Sequence, residues 1–398
     1  MSESSLDEVD DGIIDPTEVF TMDDYIGLQN NMNSIVTQIA TNIQATMGTP
    51  PPRCQSSTKR YIERNRELYN QILIEDYFSD NPRYPENMFR TRFRMRRPLF
   101  LRIVEALGEW SPFFTQRRDA LNREGLSPLQ KCTTAIRMLA YGVPADQTDE
   151  YIKIGASTTL LCLEKFAEGV IAKFGAHYLR RPNTEDGQRL LDVGESRGFP
   201  GMLGSLDWAN NDITVVNQSP LFTERLQGCD PQVQYYINGR QYNMGYYLTD
   251  GIYPQWAVFV KSIKEPQSVK DKLFAAMQEG ARKDVERAFG VLKQRFKIVP
   301  EPSRLWNQAD ITKIMQACVI LHNMIVEDEK DMVEDFPDLN EAAGSSTATL
   351  PQFHRGSIPE FTQVIEKDAE IRNRTVHTQL KKDLVEHIWM RYGHRTHV

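Results

Sequence analysis

Gly201-Met-Leu-Gly-Ser-Leu-Asp207 and Tyr246-Tyr-Leu-Thr-Asp-Gly-Ile-Tyr-Pro254 decide the fold. Each opens with a short apolar run and reaches an aspartate where the run stops. Runs this short, rich in Leu and Tyr and bounded by Gly and Pro, predict buried strands rather than helices. Outward from them the same texture predicts strands over Met202 to Leu206, Ile213 to Val216, Val233 to Ile237 and Met244 to Leu248. A long helix is predicted from about Val269 to Phe296, and an apolar one from Ile311 to Val326. Strands alternating with helices make residues 195–330 an α/β unit.

Upstream the pattern is helical. Ser127-Pro128 is a helix-start pair, and Gly142 with Pro144 ends that helix. A short helix over Asp146 to Ile152, a tight turn at Gly155 and a longer helix capped by Ser157 follow. The longer helix carries Leu160, Leu161, Leu163, Phe166, Val170 and Ile171. This trio suits a helix-turn-helix, and equally a plain helical bundle. Residues 56–180 therefore read as an α-helical, helix-turn-helix-like domain. A linker over 331–358 and a last helix from about Phe361 to Trp389, within 359–398, complete the layout.

Composition bounds the class. The chain has 398 residues, 40% hydrophobic and 25% charged, ordinary for a globular protein. No purely apolar run reaches the roughly 18 residues that a membrane span requires. Its five cysteines are scattered, without a CxxC pair, which argues against a disulfide scaffold and a structural zinc site. The net charge of −7 is segregated. Residues 1–55 read as a disordered acidic tail, with a short amphipathic helix near Met32 to Ile43 and no Lys or Arg before Arg53. Arg90, Arg92, Arg94, Arg96, Arg97 and Arg102 then follow without an intervening carboxylate. Phe89, Phe93, Phe100 and Ile103 recur among them at helical spacing and predict a packing face. The arginines suit either phosphate contact or a solvated face.

Four carboxylates stand where they could carry chemistry: Asp207, Asp212, Asp250 and Glu286. Hard divalent cations want oxygen ligands converging from separate elements, and two such ions can activate an attacking oxygen and stabilise a leaving one. Val285, Phe289, Leu292 and Phe296 predict the buried stripe of the long helix. Arg282, Glu286, Lys293 and Lys297 fall together on a neighbouring stripe. That stripe fits a metal site that receives a polyanion, or an exposed ion-pair ladder.

Several runs together resemble the plant-type PIF/Harbinger transposases and the nucleases derived from them. They are Gly201-Met-Leu-Gly-Ser-Leu-Asp207, Asn211-Asp-Ile213 with Asn217-Gln-Ser-Pro-Leu-Phe222, Tyr242-Asn-Met-Gly-Tyr-Tyr-Leu-Thr-Asp-Gly-Ile-Tyr-Pro254, Ala281-Arg-Lys-Asp-Val-Glu-Arg-Ala-Phe-Gly290 and Leu321-His-Asn-Met-Ile-Val-Glu-Asp328. The resemblance covers roughly residues 75–330 and the final helix. It implies an RNase H-like DDE catalytic domain acting on DNA phosphodiesters in the nucleus with Mg²⁺ or Mn²⁺. Asp207, Asp250 and Glu286 would be the catalytic metal ligands, and Asp212 a further metal ligand. The spacing of Asp250 and Glu286, 36 positions (286 − 250), is that of the family's last two carboxylates. A Myb-like partner protein is implied as an aid to DNA recognition and nuclear entry. His322, although within the resemblance, reads as a packing residue.

One interval departs from the family. There, several tens of residues separate the first two of these aspartates and supply the second and third strands. Here the interval is five positions (212 − 207), at most about 17 Å of extended chain. The expectation is a sheet short of about two strands, with the first strand at an edge but still beside the strand that ends at Asp250. Weak or absent activity follows, and a non-catalytic DNA- or protein-binding relic is the alternative. A misplaced intron would produce the same short interval on paper.

Overall fold

A computed structural model of the chain describes residues 64–118, 120, 122–147, 152–180, 183–206, 233–300, 308–330 and 361–394. The acidic tail, the strand expected at 213–216, most of the short helix expected at 146–152 and the linker lie outside these residues. The protein is mixed α/β, mostly helical with a small sheet.

The first helices are α1 (Arg66–Leu73), α2 (Glu86–Phe93), α3 (Arg97–Trp110), α4 (Pro128–Tyr141) and α5 (Ala156–Tyr178). Local chemistry sets their ends. The Ser127 hydroxyl accepts the Gln130 N–H at 3.1 Å while the Gln130 side chain accepts the Ser127 N–H at 3.0 Å. Such a reciprocal cap is worth about 1 kcal/mol. Gly142 closes α4 in the left-handed region, at φ 62°. The α5 start differs from expectation. Gly155, not Ser157, is the cap, because its carbonyl already accepts the N–H groups of Thr158 and Thr159 at 2.9 and 3.0 Å.

The expected aromatic face is the heart of this core. Phe89, Phe93, Phe100 and Ile103 are fully buried, with the Phe89 and Phe93 rings stacked at 4.1 Å and Phe100 edge-on to Phe93 at 5.0 Å. Not all of the α5 apolar residues join it. Leu163, Phe166 and Val170 are buried, whereas Leu160 and Leu161 face solvent.

After α6 (Thr184–Ser196) comes the sheet region: β1 (Met202–Ser205), β2 (Tyr235–Ile237), β3 (Arg240–Tyr242), β4 (Tyr246–Thr249) and β5 (Phe259–Lys261). Strands β1, β4 and β5 pair in parallel in the order β1-β4-β5. Strand β1 is thus an edge among the described residues. Strands β2 and β3 form a separate antiparallel hairpin around Asn238-Gly239, both at positive φ (50° and 82°). An Asn-Gly pair tolerates that conformation, and the resulting turn matches strand twist. The polar Arg240-Gln-Tyr242 run gives no alternation to recognise, so β3 escapes the sequence reading; β5 does too, being only three residues long.

Gly201 shows how the hairpin and sheet meet. It sits at φ 80°, and a Cβ there would lie 2.3 Å from the Tyr235 ring. Only glycine lets the hairpin aromatics seat over the start of β1.

Two helices follow, α7 (Val269–Arg295) and α8 (Gln308–Lys330). By length and composition α8 could cross a membrane, yet Ala317, Cys318, Ile320, Leu321 and Met324 are buried against the other helices. It is a core helix. The single terminal helix expected over Phe361 to Trp389 is two, α9 (Phe361–Ile371) and α10 (Arg374–Tyr392). The Asn373 side chain accepts the N–H groups of Thr375 and Val376 at 3.0 and 3.1 Å and starts the chain afresh.

There are two cores, and they do not follow chain order. One unites α1 to α5 with α8 and the second half of α7; the other gathers the strands, α6 and α10 around the first half of α7. Along α7, Phe274 and Ala281 belong to the sheet core, and Val285, Phe289 and Leu292 to the helical core.

Candidate metal centre

The parallel pairing of β1 with β4 aligns two strand ends. Ser205 stands opposite Leu248, and the Leu206 N–H donates to the Leu248 carbonyl at 2.8 Å. Parallel strands put their C-terminal ends on one side of the sheet, which is where ligands of open α/β sheets gather. Asp250 directly follows β4. Its Oδ1 accepts the Ile252 N–H at 3.0 Å, an Asx turn that orients the carboxylate. Asp207 and Asp212 lie outside the described residues.

Helix α7 crosses these ends. The fully buried Gln278 donates its amide to the carbonyls of Thr249, at 2.9 Å, and Val260, at 3.2 Å. One side chain thereby closes two neighbouring strand ends. Further along, the Ser205 hydroxyl donates to the Ala281 carbonyl at 3.5 Å. Glu286 lies two turns beyond Gln278, roughly 12 Å along the axis. It is 41% exposed and pairs with Arg282 at 2.6 Å. That is the ion-pair arrangement, with Lys293 exposed on the same helix and Lys297 exposed just past its end, off the expected stripe. The buried stripe Val285, Phe289, Leu292 and Phe296 is as expected.

Two lysines stand near Asp250. Burial, with Lys264 adding to it, pulls the Lys261 ammonium below its ordinary value against the opposing pull of Asp250. Lys261 donates to the Tyr253 carbonyl, and the Lys264 stem lies over Gly251, where a Cβ would come within 2.9 Å of it. Among the described residues, no three His, Cys, Asp or Glu side chains converge as metal ligands. Asp250 and Glu286 fit a hard cation in donor type, on a strand end and a facing helix.

His322 is buried and lies 3.1 Å from Arg295 through Nδ1. Burial, and then Arg295, hold its pKa well below the ordinary value, consistent with a packing role. Gln278 and Lys261 escape the sequence reading. Gln278 does leave a signal, a lone amide on the Phe274–Gln278–Ala281–Val285 stripe, where an apolar residue is the rule.

Comparison with known proteins adds a partial match. A family described as plant transposon protein matches residues 176–210 and 208–333. This part of the chain is similar to that family. The match begins later than the resemblance read from the sequence, and residues 70–108 match a separate domain family of unknown function. No curated protein and no solved structure matches the chain. The two pieces of the transposon match meet at residues 208–210, immediately after Asp207 and before Asp212.

Proposed function

We propose that this transposase-related region, residues 195–330, derives from a PIF/Harbinger-type, RNase H-like DDE nuclease. In this reading it acts on DNA phosphodiesters in the nucleus and is weakened by loss of about two strands. The observation that carries the reading is the parallel β1–β4 pairing, which ends both strands on one side of the sheet directly before Asp207 and Asp250. The two-piece family match, broken at 208–210, supports the shortening.

Asp207, Asp212, Asp250 and Glu286 would hold Mg²⁺ or Mn²⁺. Bound, these ions would supply Lewis-acid activation of water and of the scissile phosphate. The chain's own groups do the rest. The Asx turn aims Asp250, Lys261 and Lys264 draw in the polyanion, and Arg282 parks Glu286. Glu286 must leave Arg282 to act as a ligand. A Myb-like partner would assist DNA recognition.

The test is the shift in melting temperature of the full chain with millimolar Mn²⁺, alongside cleavage of supercoiled DNA. A metal-induced rise that Asp250→Asn and Glu286→Gln both diminish supports the site, with any cleavage lost in both. Identical responses in wild type and variants would sink it. A second reading, a non-catalytic binding relic, draws on the Arg282–Glu286 pair and the edge position of β1. It predicts DNA binding with no metal response. Sequencing the transcript across the codons for Trp208 to Asn211 tests the short interval itself.

A further inference from the structure

The turn between α2 and α3 is crowded with arginines, and most have structural employment. Arg92 lies over the Tyr84 ring at 4.1 Å and donates to the Tyr77 hydroxyl. Arg97 pairs with Glu86 at 3.3 Å. Arg96 grips the end of α8, through Nε to the Asp328 carboxylate at 2.6 Å and through Nη2 to its carbonyl at 2.8 Å.

Two other guanidiniums share one carboxylate, and a third stands near them. Arg90 bonds one Glu329 oxygen at 2.8 Å and Arg295 approaches the other at 3.4 Å. Arg94 is close enough to oppose the charge on Arg295. Its Cζ lies 5.3 Å from the centre of the Tyr141 ring, and its Nε is buried with no hydrogen-bond partner. Arg94 also occupies the left-handed region, at φ 62°. A non-glycine residue held there is strained, and strain of this kind concentrates at functional sites.

Arg295 is buried beside like charges. Arg295 is only 8% exposed, and burial, Arg90 and Arg94 together outweigh Glu329 and pull its guanidinium down to about 10. Its other neighbour, His322, is neutral and adds no negative charge. The C-termini of α4 and α7 meet here, since the Lys297 and Ile298 N–H groups donate to the Ala140 and Leu139 carbonyls. Their dipoles offset part of the excess, but no carbonyl reaches the Arg94 Nε.

We propose that Arg90, Arg94 and Arg295 form a phosphate-binding pocket at the junction of α2, α4, α7 and α8. Arg94 and the half-exposed Arg90 are the donors, and Arg295 is the fixed charge beneath them. A phosphate oxyanion takes up two or more N–H groups from a guanidinium fork and matches the unbalanced charge. The phosphate belongs to a nucleic-acid backbone or is free in solution; the pocket chemistry is shared. This site is separate from the carboxylates proposed to hold metal.

The test uses the full chain with EDTA present, so that failure of the metal centre leaves it unaffected. Binding of a short DNA duplex of arbitrary sequence is followed by fluorescence anisotropy at several salt concentrations, and inorganic phosphate by thermal shift. Arg90→Gln with Arg94→Gln should lower DNA affinity at least ~10-fold at low salt. The same pair should flatten the log–log salt slope by about 1.8, the value for two lost phosphate contacts. Arg94→Gly guards against misfolding, because glycine suits φ 62°; it should melt no lower than wild type and still bind more weakly. Loss of DNA binding assigns the pocket to a nucleic-acid phosphate. A phosphate-induced rise in melting temperature that Arg94→Gly abolishes, with DNA binding unchanged, assigns it to the free ion. DNA affinity, salt slope and phosphate response all equal to wild type in both variants would overturn the proposal.

Discussion

The helical core and the sheet core contain similar residues and are held together differently. The helical core starts from near neighbours, Phe89 stacked on Phe93 with Phe100 edge-on in the adjoining helix, and is completed by α8 from far along the chain. In the sheet core the nearest contacts are distant in sequence. Strand β1 needs β4, the Thr249 and Val260 carbonyls need Gln278, and the Trp256 carbonyl accepts a hydrogen bond from His377 at 3.0 Å. The helical core is closed by aromatic packing. The sheet core is smaller, has β1 at an edge among the described residues and adds a few polar anchors to its own aromatics, such as Tyr235 stacked on Tyr242 at 5.4 Å. Any shortening between Asp207 and Asp212 falls in the half with fewer redundant contacts.

The first way to break this comparison is to damage the packed half. Phe100→Ala removes a fully buried ring and should cost about 3–5 kcal/mol, measured as the urea midpoint. Because α7 belongs to both cores, tryptophan fluorescence and circular dichroism should report one transition. Two separated transitions would mean that α7 does not couple them.

A polar anchor gives the intermediate effect. Gln278→Leu leaves the Thr249 and Val260 carbonyls without their donor and should cost about 1–3 kcal/mol. Hydrogen exchange should quicken at β4 and β5 and hardly at α3. Equal quickening at α3 would erase the distinction between the cores.

The gentlest probe is acid. Burial is the first cause that lowers the pKa of His322, in the helical core, and of His377, in the sheet core. Each binds a proton in the unfolded chain at the ordinary value, about 6.5, and in the folded protein only below it. Their neutral forms therefore cost nothing above about pH 6.5, and stability declines as pH falls from there towards the lower folded values. Melting temperature should fall between pH 7 and 5, and less steeply in His377→Asn. An unchanged slope in that variant would remove His377 as an acid-sensitive anchor.

The legible parts of this molecule are those where a local rule suffices. The Phe89–Ile103 face, the ends of α4 at Ser127 and Gly142 and the stripe of α7 follow from spacing and capping, because each is decided within a turn or two of chain. β1 and β4 are legible as apolar runs closed by aspartates. β3, β5, the Gly155 start of α5 and the break at Asn373 are not, since a three-residue strand or a cap competing with a continuous pattern carries almost no periodic signal. The site divides similarly. The sequence supplies four carboxylates at suggestive spacings and a resemblance to a transposase family, and a plant transposon family model matches residues 176–210 and 208–333.

What the sequence determined by itself is the inventory: which segments are apolar, where helices start, and which acids and arginines are available. Only tertiary structure decided their partners. It turned Gln278 into the clasp of two strands, whereas the β1–β4 pairing and the Arg282–Glu286 pair are among the readings the sequence already offers. It also drew Arg90 and Arg295 to Glu329, 239 and 34 positions away in sequence. The physical reason is that charge pairing and strand pairing depend on distance in space, and for contacts so far apart in sequence that distance is set by packing of the whole chain.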